Sequence, residues 1–112
     1  MSTRHFNLDR TLAALADPNR RRVVDLLRDK PLRAGELAKA AHLSAPAMSR
    51  HLKTLRESGL VDEARDEFDS RVRIYRLRPE PMQDLKAWLE TTEALWARQL
   101  GAFKAHLQKS KR

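Results

Sequence analysis

At 112 residues the chain is long enough for one hydrophobic core and too short for two, so a single domain spanning 1–112 is expected. No run approaches the roughly 20 apolar residues that cross a bilayer, nothing resembles a signal peptide, and the lack of cysteine excludes disulfides and thiolate metal sites. A cytoplasmic protein with no membrane partner is expected. The net charge of +8 is unevenly spread: residues 1–60 hold 12 Lys/Arg against 6 Asp/Glu, residues 61–80 hold 5 against 6, and residues 81–112 hold 6 against 3. A positive excess gathered in the first half is what phosphate neutralisation requires.

Residues 1–7 carry little periodic signal and read as a loose end. Leu8, Leu12 and Leu15 then recur at helical spacing, which predicts a short amphipathic helix over 8–16, ended by Pro18. Asp17 caps a second helix whose first turn holds Pro18 and whose buried face holds Val23, Val24, Leu26 and Leu27. Between them stand Arg20, Arg21 and Arg22, near a helix start where the macrodipole disfavours cations. They call for a compensating partner, an acidic side chain or an outside anion, although a solvated shoulder is the plainer reading for at least one. Asp29 to Leu32 reads as a turn, and 33–41 as a helix burying Leu37 with Ala38 and Ala41.

After the break at His42-Leu43, Ser44 is an N-cap and Pro46 falls in the first turn of a helix running to about Glu57. Ala47, Met48, Leu52 and Leu55 share its apolar back; Ser49, Arg50, Lys53, Thr54 and Arg56 form a cationic front, with His51 beside them. Gly59 is placed for a left-handed C′ residue. A small helix, a tight turn and an amphipathic second helix over 33–57 are the sequence form of a helix-turn-helix, whose second helix enters the major groove of double-stranded DNA.

Residues 60–65 and 71–77 read as two strands around the tip 66–70, a wing over 60–77; the second alternates, with Val72 and Ile74 facing one way and Arg71, Arg73 and Tyr75 the other. Arg78-Pro79-Glu80-Pro81 breaks the chain before one long helix over 82–108, followed by a basic tail. Its apolar stripe is Leu85, Trp88, Leu89, Leu95, Trp96, Leu100, Phe103 and Leu107, with Gly101 a weak spot. The predicted fold is therefore mainly α, a winged helix-turn-helix of order α-α-α-α-β-β-α. A stripe so long is more than one small domain covers, so 8–16 and 82–108 are expected to pair with a second copy. A homodimer presents two recognition helices to a palindromic operator; the competing arrangement folds the stripe across its own domain. No phosphate-cradling loop or paired catalytic motif argues for an enzyme or a cofactor, and the strands lack the aromatic cluster of an RNA platform.

Particular words in this order carry a resemblance: Leu15-Ala16-Asp17-Pro18-Asn19-Arg20-Arg21-Arg22, Glu36-Leu37-Ala38, Leu43-Ser44, Pro46-Ala47, Ser49 to Arg56, Ser58-Gly59-Leu60-Val61 and Tyr75-Arg76-Leu77. Across residues 8 to about 105 the chain resembles the ArsR-type winged-helix transcriptional repressors. The resemblance implies a homodimer, joined through its first and last helices, that occupies an operator until a signal releases it. Carried over by position, Ser44, Ser49, Arg50 and His51 match the family's recognition-helix residues, and Arg71 and Arg73 its wing cations. Pro46, Ala47, Lys53 and Thr54 complete the expected DNA-binding set. Arg50 suits guanine O6/N7, the serines suit bases or phosphates, and His51 either donates to phosphate or packs at the helix-turn-helix seam.

Two departures stand out. Ala45 replaces the family's usual Gln, and Asp62, Glu63, Asp66, Glu67 and Asp69 would repel phosphates unless the tip stays clear of DNA or they pair with Arg65, Arg71 and Arg73. The family's metal sites are not matched either: Ala38-Lys39-Ala40 has no thiol, and Asp84, Glu90, Glu93 and His106 contain no Asp-x-His pair. The inducer is left open among an apolar ligand, a protein partner and expression level alone. The alternative function is a protein–protein adaptor that keeps the winged-helix fold without specific DNA binding.

Overall fold

The computed structural model describes residues 3–110 and runs α1 (Thr3–Leu15), α2 (Pro18–Leu26), β1 (Leu32–Arg33), α3 (Ala34–Ala41), α4 (Ala45–Glu57), β2 (Val61–Arg65), β3 (Arg73–Leu77) and α5 (Pro79–Ser110). The winged helix-turn-helix order is the expected one with a strand added. Leu32, read as part of a turn, pairs antiparallel with Tyr75, and Arg33 with Ile74, giving a three-stranded sheet of order β1-β3-β2. Other boundaries also move: the wing strands cover 61–65 and 73–77 where 60–65 and 71–77 were expected, leaving Val72 outside the strand, and α1 ends at Leu15 rather than 16. The stretch 3–7, read as loose, is already helical, since no Gly or Pro interrupts it; residues 1 and 2, like 111 and 112 of the basic tail, lie outside the described residues. α3 starts one residue late because Arg33 serves the sheet. α5 starts at Pro79 rather than Met82: both prolines, read as breakers, fall in a first turn that needs no N–H from them.

The core gathers Ala14 of α1, Val23 and Leu27 around α2, Leu37 and Ala38 of α3, Met48, Leu52 and Leu55 of α4, then Leu60, Val61 and Tyr75. Tyr75 shows which of the two wing faces turns inward: it is buried, while Ile74 of the other face is only half-buried. Strand alternation sets two faces without saying which is inward. Here the register opposing Tyr75 to Glu63 supplies a carboxylate for the phenol, whose Oη donates to Glu63 Oε2 at 3.2 Å. Burial and the Glu63 charge raise the Tyr75 pKa, keeping that donor protonated.

Of the three arginines at the start of α2, Arg20 finds an acidic partner, Asp17 Oδ2 at 3.9 Å, and both Arg20 and Arg21 also find backbone carbonyls. Arg20 Nε donates to the Ala14 carbonyl at 2.6 Å, and Arg21 Nη1 to the Leu15 carbonyl at 2.8 Å, so both close the negative C-terminal end of α1. Arg22 faces solvent, the plainer reading. α5 packs along α1 but buries none of its own residues fully. With 32 residues, about 48 Å of helix, it accompanies an elongated molecule of 72 × 33 × 22 Å.

Candidate nucleic-acid interface

The turn between α3 and α4 is closed twice. His42 takes a left-handed conformation (φ 57°), which lets the Leu43 N–H reach the Ala38 carbonyl at 2.9 Å; Ser44 Oγ then accepts from the Ala47 N–H at 3.2 Å and caps α4. At the far end Gly59 (φ 79°) repeats the device, and the Leu60 N–H reaches the Leu55 carbonyl at 3.0 Å. Both ends of α4 are thereby fixed, and Met48, Leu52 and Leu55 hold its back against the core.

What remains outward is Pro46, Ser49, Arg50 and Lys53, all exposed and on one side of the helix. The rest of the expected set divides. Ser44 is exposed but spends an acceptor on the cap. Ala47 and His51 are half-buried. His51 lies close enough to Asp17 to act on its carboxyl: partial burial raises the Asp17 pKa, but hydrogen bonds from the Arg20 and Asn19 N–H groups and the His51 charge hold it below the ordinary value. Thr54 turns aside, donating to the Arg50 carbonyl at 3.2 Å and lining an open groove of about 450 Å³ with Arg10, Ala13 and Arg20.

Among the described residues four of the five wing acids pair off, and the exposed Glu67 does not. Asp62 meets Arg76 at 3.3 Å, Asp66 meets Arg33 at 3.2 Å, and Asp69 meets Arg71 at 3.2 Å. Glu63 bridges Arg56 of α4 at 2.7 Å and Arg73 at 3.3 Å, joining the wing root to α4. Of the cations proposed for this task, Arg71 and Arg73 do so, whereas Arg65 instead donates to the Ser70 carbonyl at 2.6 Å. One residue escaped notice: Phe68, 94 % exposed at the tip. Its signal in the sequence was an aromatic among acids with no apolar neighbour in register.

The cations are thus sorted. Arg20 and Arg21 of α2 and the arginines of the wing and the α5 junction are engaged internally, while within the described residues the side chains of Arg50 and Lys53, like the solvent-facing Arg22, have neither ion pair nor hydrogen bond. Among the described residues no group of three or more His, Asp or Glu is arranged to hold a metal ion, and no helix is long and apolar enough to cross a membrane.

Comparison with known proteins agrees with this geometry. Residues 17–63 match the model of the bacterial regulatory proteins of the arsR family. The chain is 38% identical over 95 residues to the HTH-type transcriptional regulator Rv2034 of Mycobacterium tuberculosis, covering 85% of this chain and 83% of that one. It is 28% identical over 82 residues to the transcriptional repressor SdpR of Bacillus subtilis, covering 73% and 88%. Its fold superposes on an ArsR-like transcriptional regulator from Rhodococcus sp. RHA1 with a TM-score of 0.76 at 28% identity, covering 92% and 94%. The chain belongs to the arsR family of bacterial regulatory proteins and is a transcriptional regulator with a helix-turn-helix DNA-binding fold.

Proposed function

We propose that the protein is a homodimeric repressor that places α4 in the major groove of each half of a palindromic operator. The observation that carries this reading is the outward face of Pro46, Ser49, Arg50 and Lys53, whose cations are left without internal partners. Arg50 is the base reader, bidentate to guanine O6/N7, and Lys53 and Ser49 serve phosphates or neighbouring bases. Repression is supported by the likeness to SdpR, named a transcriptional repressor. Pairing is supported by the unpartnered stripe from Trp88 to Leu107 on α5, together with Leu12 of α1; Leu8 and Leu15 are committed largely to the protomer's own packing, and Leu85 is half-buried. The absence of cysteine supports a member that does not use the thiolate sites of the metal sensors. The protein acts in the cytoplasm, where its operator lies.

The test is fluorescence anisotropy with DNA from upstream of the protein's own gene, beside a scrambled duplex, across a salt series. Affinity in the usual specific range of roughly 10⁻⁸–10⁻¹¹ M, well above the control, is expected. No binding even at low salt would move the reading to the adaptor.

A further inference from the structure

The wing tip presents an aromatic ring to solvent and holds it there. Phe68 is 94 % exposed, yet the loop beneath it is not slack. Asp66 Oδ1 accepts from the Phe68 N–H at 2.8 Å, the Asp66 N–H reaches the Val72 carbonyl at 2.8 Å, the Val72 N–H reaches the Asp69 carbonyl at 3.0 Å, and Arg65 anchors the Ser70 carbonyl. Nothing in the protomer covers the ring. Keeping a large apolar side chain in water is unfavourable relative to burying it, and a loop built to hold it there points to an occupant.

We infer that Phe68 is an apolar wedge that enters the minor groove beside each half-site and opens a flexible base step. This inference rests on the DNA-binding reading above. Three features favour DNA. First, the Arg56–Glu63–Arg73 bridge fixes the wing root to α4, so a recognition helix in the major groove carries the tip with it to the adjoining stretch of duplex. Second, the charges at the tip balance: Asp66 and Asp69 are paired with Arg33 and Arg71, and the exposed Glu67, which has no ion pair among the described residues, is matched in number by Arg65 two residues before it. Third, Arg71 is 89 % exposed in its side chain and can exchange Asp69 for a phosphate as the ring seats. A balanced tip has little to offer the groove's acceptors as a charge reader. It can act through shape, as phenylalanine wedges do when they unstack a step and bend the duplex. Specificity would then extend to bases that α4 never touches, with a pyrimidine–purine step preferred under the tip.

The experiment uses the full chain, the preferred upstream duplex and its scrambled control, with end-to-end energy transfer reporting bend and anisotropy reporting affinity. Phe68→Ala is expected to bind the operator about tenfold more weakly and to lose most of the bend, leaving the scrambled duplex within about twofold. Phe68→Leu, still a wedge, keeps most of both. Replacing a flanking TA or CA step by a stiff A-tract weakens wild type but not Phe68→Ala. If wild type prefers the operator and Phe68→Ala binds and bends it equally, the wedge is refuted and the ring is left for a protein partner. An equal loss on both duplexes refutes it too, marking a general contact. If wild type prefers no duplex, the DNA-binding reading falls, and this inference with it.

Discussion

Replacing Trp96 by alanine removes the centre of the unpartnered α5 stripe. Trp96 is 59 % exposed in the isolated chain, and Trp88, Leu89, Leu95, Leu100, Phe103, Leu107 and Leu12 are each between 41 % and 59 % exposed. With roughly 150–250 Å² for a large apolar side chain, these leave on the order of 700–800 Å² of apolar surface per copy, close to the ~800 Å² that each partner contributes to a standard stable interface. Trp96 alone accounts for about 150 Å². At about 25 cal/mol per Å² its loss from both copies has an upper bound of about 7 kcal/mol; association recovers only part of such area terms, and about 3 kcal/mol is a realistic expectation. That corresponds to roughly a hundredfold weaker dimer. Sedimentation equilibrium over a wide concentration range measures it, with far-UV circular dichroism confirming that the helices persist. A Trp96→Ala protein that dimerises like wild type would place the pairing surface elsewhere and refute the reasoning.

Arg50→Ala should cost about 1–3 kcal/mol on the operator while sparing the scrambled duplex and the melting temperature; an equal loss on both duplexes would make Arg50 a phosphate anchor. Gly59→Ala should destabilise by about 1–2 kcal/mol in thermal melts, because φ is 79° there, while the added Cβ would meet only Pro81 Cγ at an ordinary 3.8 Å. His42→Gly should act oppositely, relieving the same conformation by up to about 1 kcal/mol. Acid should erode stability. The Phe68 N–H and Arg33 hold the Asp66 carboxyl below its ordinary value of 3.8, and Arg71 does so for Asp69. Groups with lowered folded-state pKa contribute fully above the unfolded value and lose that contribution as pH falls through the folded one. Melting temperature should therefore be insensitive to these groups above about pH 5 and fall below about pH 4, less steeply in Asp66→Asn; a flat profile to pH 2.5 would contradict the pairing.

The helix-turn-helix was legible because its determinants are local: Ser44 and Pro46 at one end, Gly59 at the other, and Met48, Leu52 and Leu55 at fixed spacing between. What escaped depended on contacts distant in sequence. β1 is two residues long and exists only because β3 lies beside it. Tyr75 is inward because Glu63 stands opposite, and Arg20 is satisfied because α1 ends within its reach. Within the expected DNA-binding set, spacing identified the outward residues Pro46, Ser49, Arg50 and Lys53 but did not separate them from Thr54 and His51, whose flanks are occupied by α1 and α2.

The arginine clasp between α1 and α2 has a mechanical consequence. Asp17 receives the Asn19 and Arg20 N–H groups, Arg20 and Arg21 grip the last carbonyls of α1, and Asp17 lies under the influence of His51 on α4. α1 is thereby tied to α2, and α2 in turn packs against α4, so the helix bearing Leu12 and the helix bearing Arg50 belong to one packed unit. In the proposed dimer the separation of the two α4 helices is set by how the copies meet, and a rotation at that seam moves both. A signal that releases DNA need not deform either protomer; it has only to change the angle between them.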